Sequence, residues 1–437
     1  MKVGFVSLGC SKNLVDTEKT IDIFKKHGYD IVNNPKEAEI IVINTCGFIE
    51  TAKEEAINTI LEMAEYKKEN CKYIIAMGCL VQRYREELEK SLPEVDLFIK
   101  YDEYDTIWSQ IDNLINKDII HEKEEDIPFN KLQDRVITTG DNFAYVKIAD
   151  GCNNCCTFCA IPYIRGRFES RPMEDIIEEV KKLAKSGYKE IILIAQDTTK
   201  YGIDIYGKPK LAELLKKLCK IDGIKWIRFL YAYPETIDDK LIKVVKKNEK
   251  ICKYFDIPIQ HISDSVLKRM NRKSNSESIE LLIKKLREKI PNVIIRTTVM
   301  VGFPGETQED FEKLCNFVES AKFDKLGAFA YSKEEGTPAA KLKEQVHPMT
   351  KKARYNKIME IQQKVSDENL NKYIGKQLEV LVEGKTIDGK YYVCRSYMDV
   401  PDIDGLIYLN NSKELKIGDF VKCTIKSSIN EYDLLGE

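Results

Sequence analysis

Short apolar runs alternate with amphipathic stretches over the first part of the chain. The runs Val3–Leu8, Ile40–Ile43 and Tyr73–Ala76 have strand length, and the segments between them carry helical spacing, which predicts an α/β unit with a parallel sheet. Periodicity fades over His121–Asp134, where Glu-Lys-Glu-Glu-Asp and Pro128 mark a linker. A second series then places strands at Ala144–Ala149, Ile191–Ala195, Trp226–Tyr231, Phe255–Ile259, Val293–Val299 and Leu326–Tyr331. Six strand-helix units are too few for a closed eightfold barrel and predict an open (β/α)6 partial TIM barrel. A helical stretch from Thr350 to Ser366 follows. From Tyr373 the pattern shortens to the β-runs Leu378–Val382, Tyr391–Val393, Gly405–Tyr408 and Phe420–Ile425, which suit a small antiparallel β-barrel. The predicted division is an N-terminal domain over 1–120, a linker over 121–137, a barrel over 138–345, a helical connector over 346–370 and a last domain over 371–437.

Composition supports that reading. A chain of 437 residues accommodates about three domains at roughly 100–200 residues each. With 43% hydrophobic and 32% charged residues it has the material for packed cores, which excludes a disordered whole. Sixty-nine basic and 71 acidic side chains leave a net charge of −2, which argues against attachment to nucleic acid by bulk charge and leaves open a local basic groove. The first residues hold too short an apolar run for a signal peptide, and no apolar stretch reaches the roughly 18 residues of a membrane span, so a cytoplasmic protein without a membrane partner is expected. Thirteen cysteines in a reducing compartment are then candidate metal ligands or nucleophiles where they cluster.

They cluster in Gly151-Cys-Asn-Asn-Cys-Cys-Thr-Phe-Cys159, just past a predicted strand, at the end where barrel active sites lie. Three thiolates suit a 4Fe-4S cluster that leaves one iron open to chelate S-adenosylmethionine, whereas structural zinc wants four ligands and no histidine stands nearby. Electron transfer into the bound sulfonium releases a 5'-deoxyadenosyl radical. Cys152 and Cys159 are common to every choice of ligands, but spacing alone leaves Cys155 and Cys156 as rivals for the middle position.

Cys10, Cys46 and Cys79 form a second set. Each stands within a few residues of a predicted strand's carboxyl end, in Val-Ser-Leu-Gly-Cys10, Val-Ile-Asn-Thr-Cys46 and Ala-Met-Gly-Cys79. Carboxyl ends of parallel strands share one edge, where open α/β sheets bind ligands, so the three thiols can converge with an open position of their own. Cys71 precedes a strand and Cys219 continues the stripe Leu211, Leu214, Leu215, Leu218; both read as packing, as do the isolated Cys252, Cys315, Cys394 and Cys423.

The cysteine pattern with Phe158 before its last member resembles the radical S-adenosylmethionine superfamily, and that resemblance selects Cys152, Cys156 and Cys159, with Phe158 beside the adenine. Ser7-Leu-Gly-Cys-Ser-Lys-Asn-Leu-Val-Asp-Thr-Glu18, Asn44-Thr-Cys-Gly-Phe-Ile49, Gly78-Cys-Leu80 and Arg165-Gly-Arg-Phe-Glu-Ser-Arg171 are similar to segments of the methylthiotransferases, in the RimO branch rather than the tRNA-modifying MiaB branch. Asp256-Ile-Pro-Ile-Gln-His-Ile-Ser-Asp264, Val301-Gly-Phe-Pro-Gly-Glu306 and Tyr331-Ser-Lys-Glu-Glu-Gly-Thr-Pro338 extend the match along the chain. The resemblance implies a C-terminal TRAM barrel and a second 4Fe-4S cluster on Cys10, Cys46 and Cys79. It also implies transfer of a methylthio group to the β-carbon of an aspartate in the twelfth small-subunit ribosomal protein, with two S-adenosylmethionine molecules used. An electron donor such as flavodoxin or ferredoxin is implied as a partner. The alternatives are a tRNA adenosine methylthiotransferase and a non-enzymatic iron-sulfur module.

Further candidates rest on single features. Gly302 and Gly305 permit close backbone approach to the adenosyl moiety, Arg165 or Arg167 can meet the methionine carboxylate, and Gln260-His261 faces the active-site end. From Asn371 onward, nine basic and eleven acidic side chains, with the run Asp399-Val-Pro-Asp402-Ile-Asp404, suit a basic ribosomal protein better than RNA, so nucleic acid is not the expected main target.

Overall fold

A computed structural model describes residues 1–116, 128–132, 134–410 and 413–437; the predicted linker residues 121–127 and 133 lie outside the described residues. The N-terminal sheet joins β1 (Lys2–Ser7), β2 (Asp30–Val32), β3 (Ile40–Thr45), β4 (Tyr73–Gly78) and β5 (Leu97–Ile99) in the order β2-β1-β3-β4-β5, all parallel. Strand β3 is buried along its whole length, as the run Ile-Ile-Val-Ile requires of a central strand. Between the strands run α1 (Ser11–Lys26), α2 (Glu50–Ala64), α3 (Cys79–Ser91) and, after β5, α4 (Ile107–Ile115). Three-residue strands carry too little period to be legible, and the edges β2 and β5 went unforeseen for that reason.

The barrel strands are β6 (Phe143–Lys147), β9 (Glu190–Ile194), β10 (Trp226–Phe229), β11 (Tyr254–Asp256), β12 (Ile294–Val301) and β13 (Lys325–Ala330). Two-residue strands β7 (Ala149–Asp150) and β8 (Glu169–Ser170) form a ribbon beside β6. Parallel pairing runs β6-β9-β10 and β11-β12-β13, and the bridge Ile227 to Ile251 joins the two runs into one open series of six. Val146, Leu193, Phe229, Phe255, Ile295 and Val299 belong to its single buried core. The short α5 (Ile161–Arg165) follows the cysteine loop.

A helix of 24 residues, Pro348–Asn371, leads to the last domain. There β14 (Gln377–Lys385), β15 (Tyr392–Ser396), β16 (Ile407–Leu409), β17 (Phe420–Ser428) and β18 (Leu434–Gly436) close a barrel in the order β14-β15-β16-β18-β17. Its seams are antiparallel except β16 with β18, because the last strand runs back between β16 and β17. Among the described residues, no helix is long and apolar enough to cross a membrane.

Polar contacts fasten both outer domains to the barrel. Arg135 bonds Glu18 of α1 and reaches Glu179 at 3.0 Å, and Glu18 accepts from the Thr138 N–H at 2.8 Å, so the described end of the linker is tied down. Arg395 of β15 pairs with Glu190 at 2.8 Å, and Arg228 holds the same carboxylate at 2.8 Å, all fully buried. Asp399 pairs with Lys325 at 2.9 Å and Asp404 accepts from the Tyr254 hydroxyl at 2.7 Å. Two carboxylates of the acidic run expected to face a basic partner are thus occupied by the barrel, and Asp402 alone of the three is exposed.

Candidate active site

Register carries Cys10, Cys46 and Cys79 to one edge. Ser7 lies opposite Asn44 and Thr45 opposite Gly78, so Cys10, Cys46 and Cys79 leave three adjacent strands at the same level. The sheet order reverses between β1 and β3, opening the crevice expected there. Glycines bring the loops together. A Cβ on Gly9 (φ +87°) would lie 2.8 Å from Cys46 Cβ, and one on Gly47 would lie 2.6 Å from Leu80 Cα. Burial pushes the Cys79 thiol up to about 12, with the neighbouring Cys10 and Cys46 adding to the rise. Cys10 is exposed and Cys46 half-buried; the desolvation of the Cys10 sulfur is outweighed by the Lys12 ammonium and Arg165 guanidinium, which hold its thiol below its ordinary value.

Cys152, Cys156 and Cys159 occupy the loop after β7. Cys152 and Cys156 are buried and Cys159 half-buried, whereas Cys155 is exposed, with φ +51° and its Sγ 3.6 Å from the Asn153 carbonyl. The Cys152 sulfur accepts from the Asn154 N–H at 3.4 Å and the Cys159 sulfur from the Ile161 N–H at 3.5 Å. Cys156 Sγ lies 3.5 Å from the Tyr233 hydroxyl and 3.9 Å from Arg272 Nη1. Burial pushes the Cys159 thiol up to about 12, and Cys156 and Cys152 are close enough to raise it further. Thr157 anchors the loop by donating its N–H to the Met270 carbonyl at 3.1 Å and accepting from the Ala339 N–H at 2.9 Å.

Arg165 joins the two sets. Its guanidinium donates to Asn13 Oδ1 at 2.6 Å, Asp16 at 2.9 Å and Asp150 at 2.9 Å, and it lies over the Tyr101 ring at 4.6 Å. Asn13 Oδ1 also accepts from the Cys79 thiol at 3.4 Å, while its amide nitrogen is fixed on the Leu8 and Thr45 carbonyls. Lys147 pairs with both Asp16, at 2.5 Å, and Asp150, at 2.7 Å. The guanidinium considered for a methionine carboxylate is therefore engaged by protein carboxylates, because α5 aims it at α1; Arg167 is exposed.

Long side chains lie beside the two glycines considered for the adenosyl moiety. Gly302 (φ +70°) passes against the Lys351 side chain and Gly305 (φ +83°) against the Arg269 guanidinium. Phe158 meets Phe303 edge-on at 6.4 Å and packs on the cluster of Val266, Met270 and Tyr331. His261 is buried, its Nδ1 accepting from the Ser263 N–H at 3.0 Å. Sequence reasoning assigned no role to Asn13, Asp16, Asp150, Tyr233 or Arg272. The legible signal was in α1, where Lys12, Asn13, Asp16, Thr17, Glu18, Lys19 and Thr20 are all polar and all buried.

Among the described residues, no three Cys, His, Asp or Glu side chains close on a point that would hold one metal ion. Three thiols in each set suit a 4Fe-4S cluster, which leaves one iron open, better than structural zinc, which wants four ligands. The N–H donors aimed at Cys152 and Cys159 fit thiolate sulfur in such a site.

An open six-stranded parallel barrel with four cysteines in one loop beyond its first strand, three of them turned inward, defines a radical S-adenosylmethionine enzyme. Family models agree: the radical SAM superfamily matches residues 146–318, the uncharacterized protein family UPF0004 matches 2–100, and the TRAM domain matches 374–437. Proteins named ribosomal protein uS12 methylthiotransferase RimO are similar throughout. The one from Alkaliphilus oremlandii is 61% identical over 100% of this chain and 99% of its own, and that from Clostridium perfringens 51% identical over 100% and 97%. The chain belongs to the RimO family of radical SAM methylthiotransferases, and its cofactors are two 4Fe-4S clusters and S-adenosylmethionine. In fold it is similar to the radical S-adenosylmethionine methyltransferase TsrM from Kitasatospora setae, with a TM-score of 0.58 at 12% identity over 77% of this chain and 76% of that one.

Proposed function

We propose that this chain adds a methylthio group to the β-carbon of an aspartate in ribosomal protein uS12, with Cys152, Cys156 and Cys159 holding one 4Fe-4S cluster and Cys10, Cys46 and Cys79 the other. Bound there, the first cluster with S-adenosylmethionine supplies the radical that an unactivated C–H bond requires, and the second supplies the sulfur.

The chain's own residues do the rest. Backbone N–H groups of Asn154 and Ile161 steady the Cys152 and Cys159 sulfurs. Phe158 and Thr157 lock the loop to the barrel, and Gly9 and Gly47 keep the three strand-end loops in contact. Arg165, held by Asp16 and Asp150, sets the distance between the two thiol sets, a proximity that a reaction joining radical and sulfur at one carbon demands.

The observation that carries this reading is that one side chain, Arg165, spans from the helix after the Cys152–Cys159 loop to Asn13, the partner of Cys79. Anaerobic reconstitution should load about eight irons per chain, two clusters of four. Replacing Cys10, Cys46 and Cys79 together with alanine should remove about half of that iron and keep reductive cleavage of S-adenosylmethionine. Full iron in that variant, or a methylthio group gained by tRNA in place of uS12, refutes the proposal.

A further inference from the structure

The two flanks of the Cys152–Cys159 loop face different neighbours. Beyond Cys159, Ala160 and Ile164 pack on Cys79 of the N-terminal domain. Cys156, by contrast, lines a cleft of about 200 Å3 with Tyr233, Glu235, Asn271, Arg272 and Lys273 among others. This cleft reaches a ligand sulfur of the candidate radical cluster from outside the crevice that holds the other thiol set.

Its rim is basic. Lys268-Arg269-Met270-Asn271-Arg272-Lys273 places four cations in six residues. The segment is bonded to the cysteine loop: Asn271 Nδ2 donates to the Cys155 carbonyl at 2.9 Å, and Thr157 Oγ1 to the Arg269 carbonyl at 2.8 Å. Lys268 and Lys273 are exposed, and neither ammonium has a partner among the described residues. Arg272 is buried over the Tyr233 ring at 4.2 Å, with its Nε unpartnered. Nearby carboxylates are engaged locally, Glu235 by Ser274, Asp264 by Ser276 and Glu344 by Arg269. Arg269 is thus matched by Glu344, and the positive charge left without a paired carboxylate on this face is that of Lys268 and Lys273.

We propose that this face is the docking surface for the electron donor, a small acidic redox protein, and that Lys268 and Lys273 steer it to the mouth of the Cys156 cleft. The inference rests on the radical cluster assigned above. One electron leaves the partner and one enters the cluster through the Cys156 side, with no atom or proton exchanged. Electron-transfer encounters are small and weakly bound, so complementary charge at the rim governs them. A nucleic acid is also attracted by lysines, but it has no need of a cleft that ends on a cluster ligand.

The test uses the full chain carrying Lys268→Glu and Lys273→Glu together, with oxidised acidic flavodoxin as the probe, so that binding is read without turnover. Calorimetric binding to the iron-free and the reconstituted enzyme should weaken by about tenfold or more at low salt, and the salt dependence seen with the unaltered enzyme should flatten. Cleavage of S-adenosylmethionine driven by dithionite should be unchanged, which shows that the variant is folded and loaded. Flavodoxin binding equal to that of the unaltered enzyme overturns the proposal. So does intact flavodoxin binding with lost affinity for ribosomal RNA, which makes the face a nucleic-acid surface. If dithionite drives no cleavage even in the unaltered reconstituted enzyme, the radical reading fails and takes this proposal with it.

Discussion

Replacing Arg165 with methionine keeps an unbranched stem and removes the guanidinium with its charge. In the native fold the guanidinium is buried and pairs with Asp16 and Asp150, each at 2.9 Å. Lys147 is left as the one cation bonded to both carboxylates. Breaking a buried pair from one side costs about 3–5 kcal/mol, and Lys147 places this case near the lower end, at about 3 kcal/mol. That corresponds to about a hundredfold in the opening equilibrium of the seam between the two domains. Hydrogen exchange at Ile161–Arg165 in the iron-free chain measures it, because local opening governs protection there.

The pH dependence has a definite sign. Asp150 is penalised by burial, but Arg165 and Lys147 outweigh that and hold its carboxyl well below the usual carboxylate range. Its stabilisation is therefore complete above the unfolded value near 4 and is lost only as pH falls below that. In the methionine variant the stranded carboxylate takes up a proton at higher pH, so the difference between the two proteins is largest at neutrality and narrows in acid. Arg165→Lys should fall between them, since an ammonium restores charge without the planar fork. Unchanged protection at pH 7 in the methionine variant would refute the role given to this side chain.

Cys155→Ser should load the same iron as the native chain, because this sulfur is exposed and turned to the Asn153 carbonyl; loss of one cluster's iron would make it a ligand. Gly302→Ala should destabilise the barrel by about 1–3 kcal/mol in thermal unfolding, since φ is +70° and the new Cβ would lie 3.1 Å from Lys351 Cβ; an unshifted transition counts against that packing. Burial pushes His261 down to about 4, with Asp310 opposing and Arg354 assisting, so the folded chain refuses a proton that the unfolded chain accepts near 6.5. Stability from this group is complete above about 6.5 and falls by about 3 kcal/mol as pH drops towards 4. Denaturant titrations of His261→Asn should show a shallower acid loss, and an identical slope would refute the assignment.

The alternation of apolar runs with helical stretches was sufficient for the parallel N-terminal sheet and the open six-stranded barrel, because buried parallel strands must be apolar throughout. The same strand ends put Cys10, Cys46 and Cys79 on one edge of the sheet. Periodicity did not reach β2, β5 and β18, each three residues long and held in place by the neighbour it pairs with.

Long-range pairing lay beyond the sequence for a physical reason: a charge's partner is chosen by the fold and not by its neighbours along the chain. Asp399 and Asp404 read as a free acidic surface, yet the closed barrel presses them onto Lys325 and Tyr254. Arg165 read as a ligand for a cofactor carboxylate, yet Asp16, 149 positions away, takes it. Spacing left Cys155 and Cys156 equivalent. Only the backbone turn at Cys155, with φ +51°, sends one sulfur to solvent and leaves the other beside Tyr233 and Arg272.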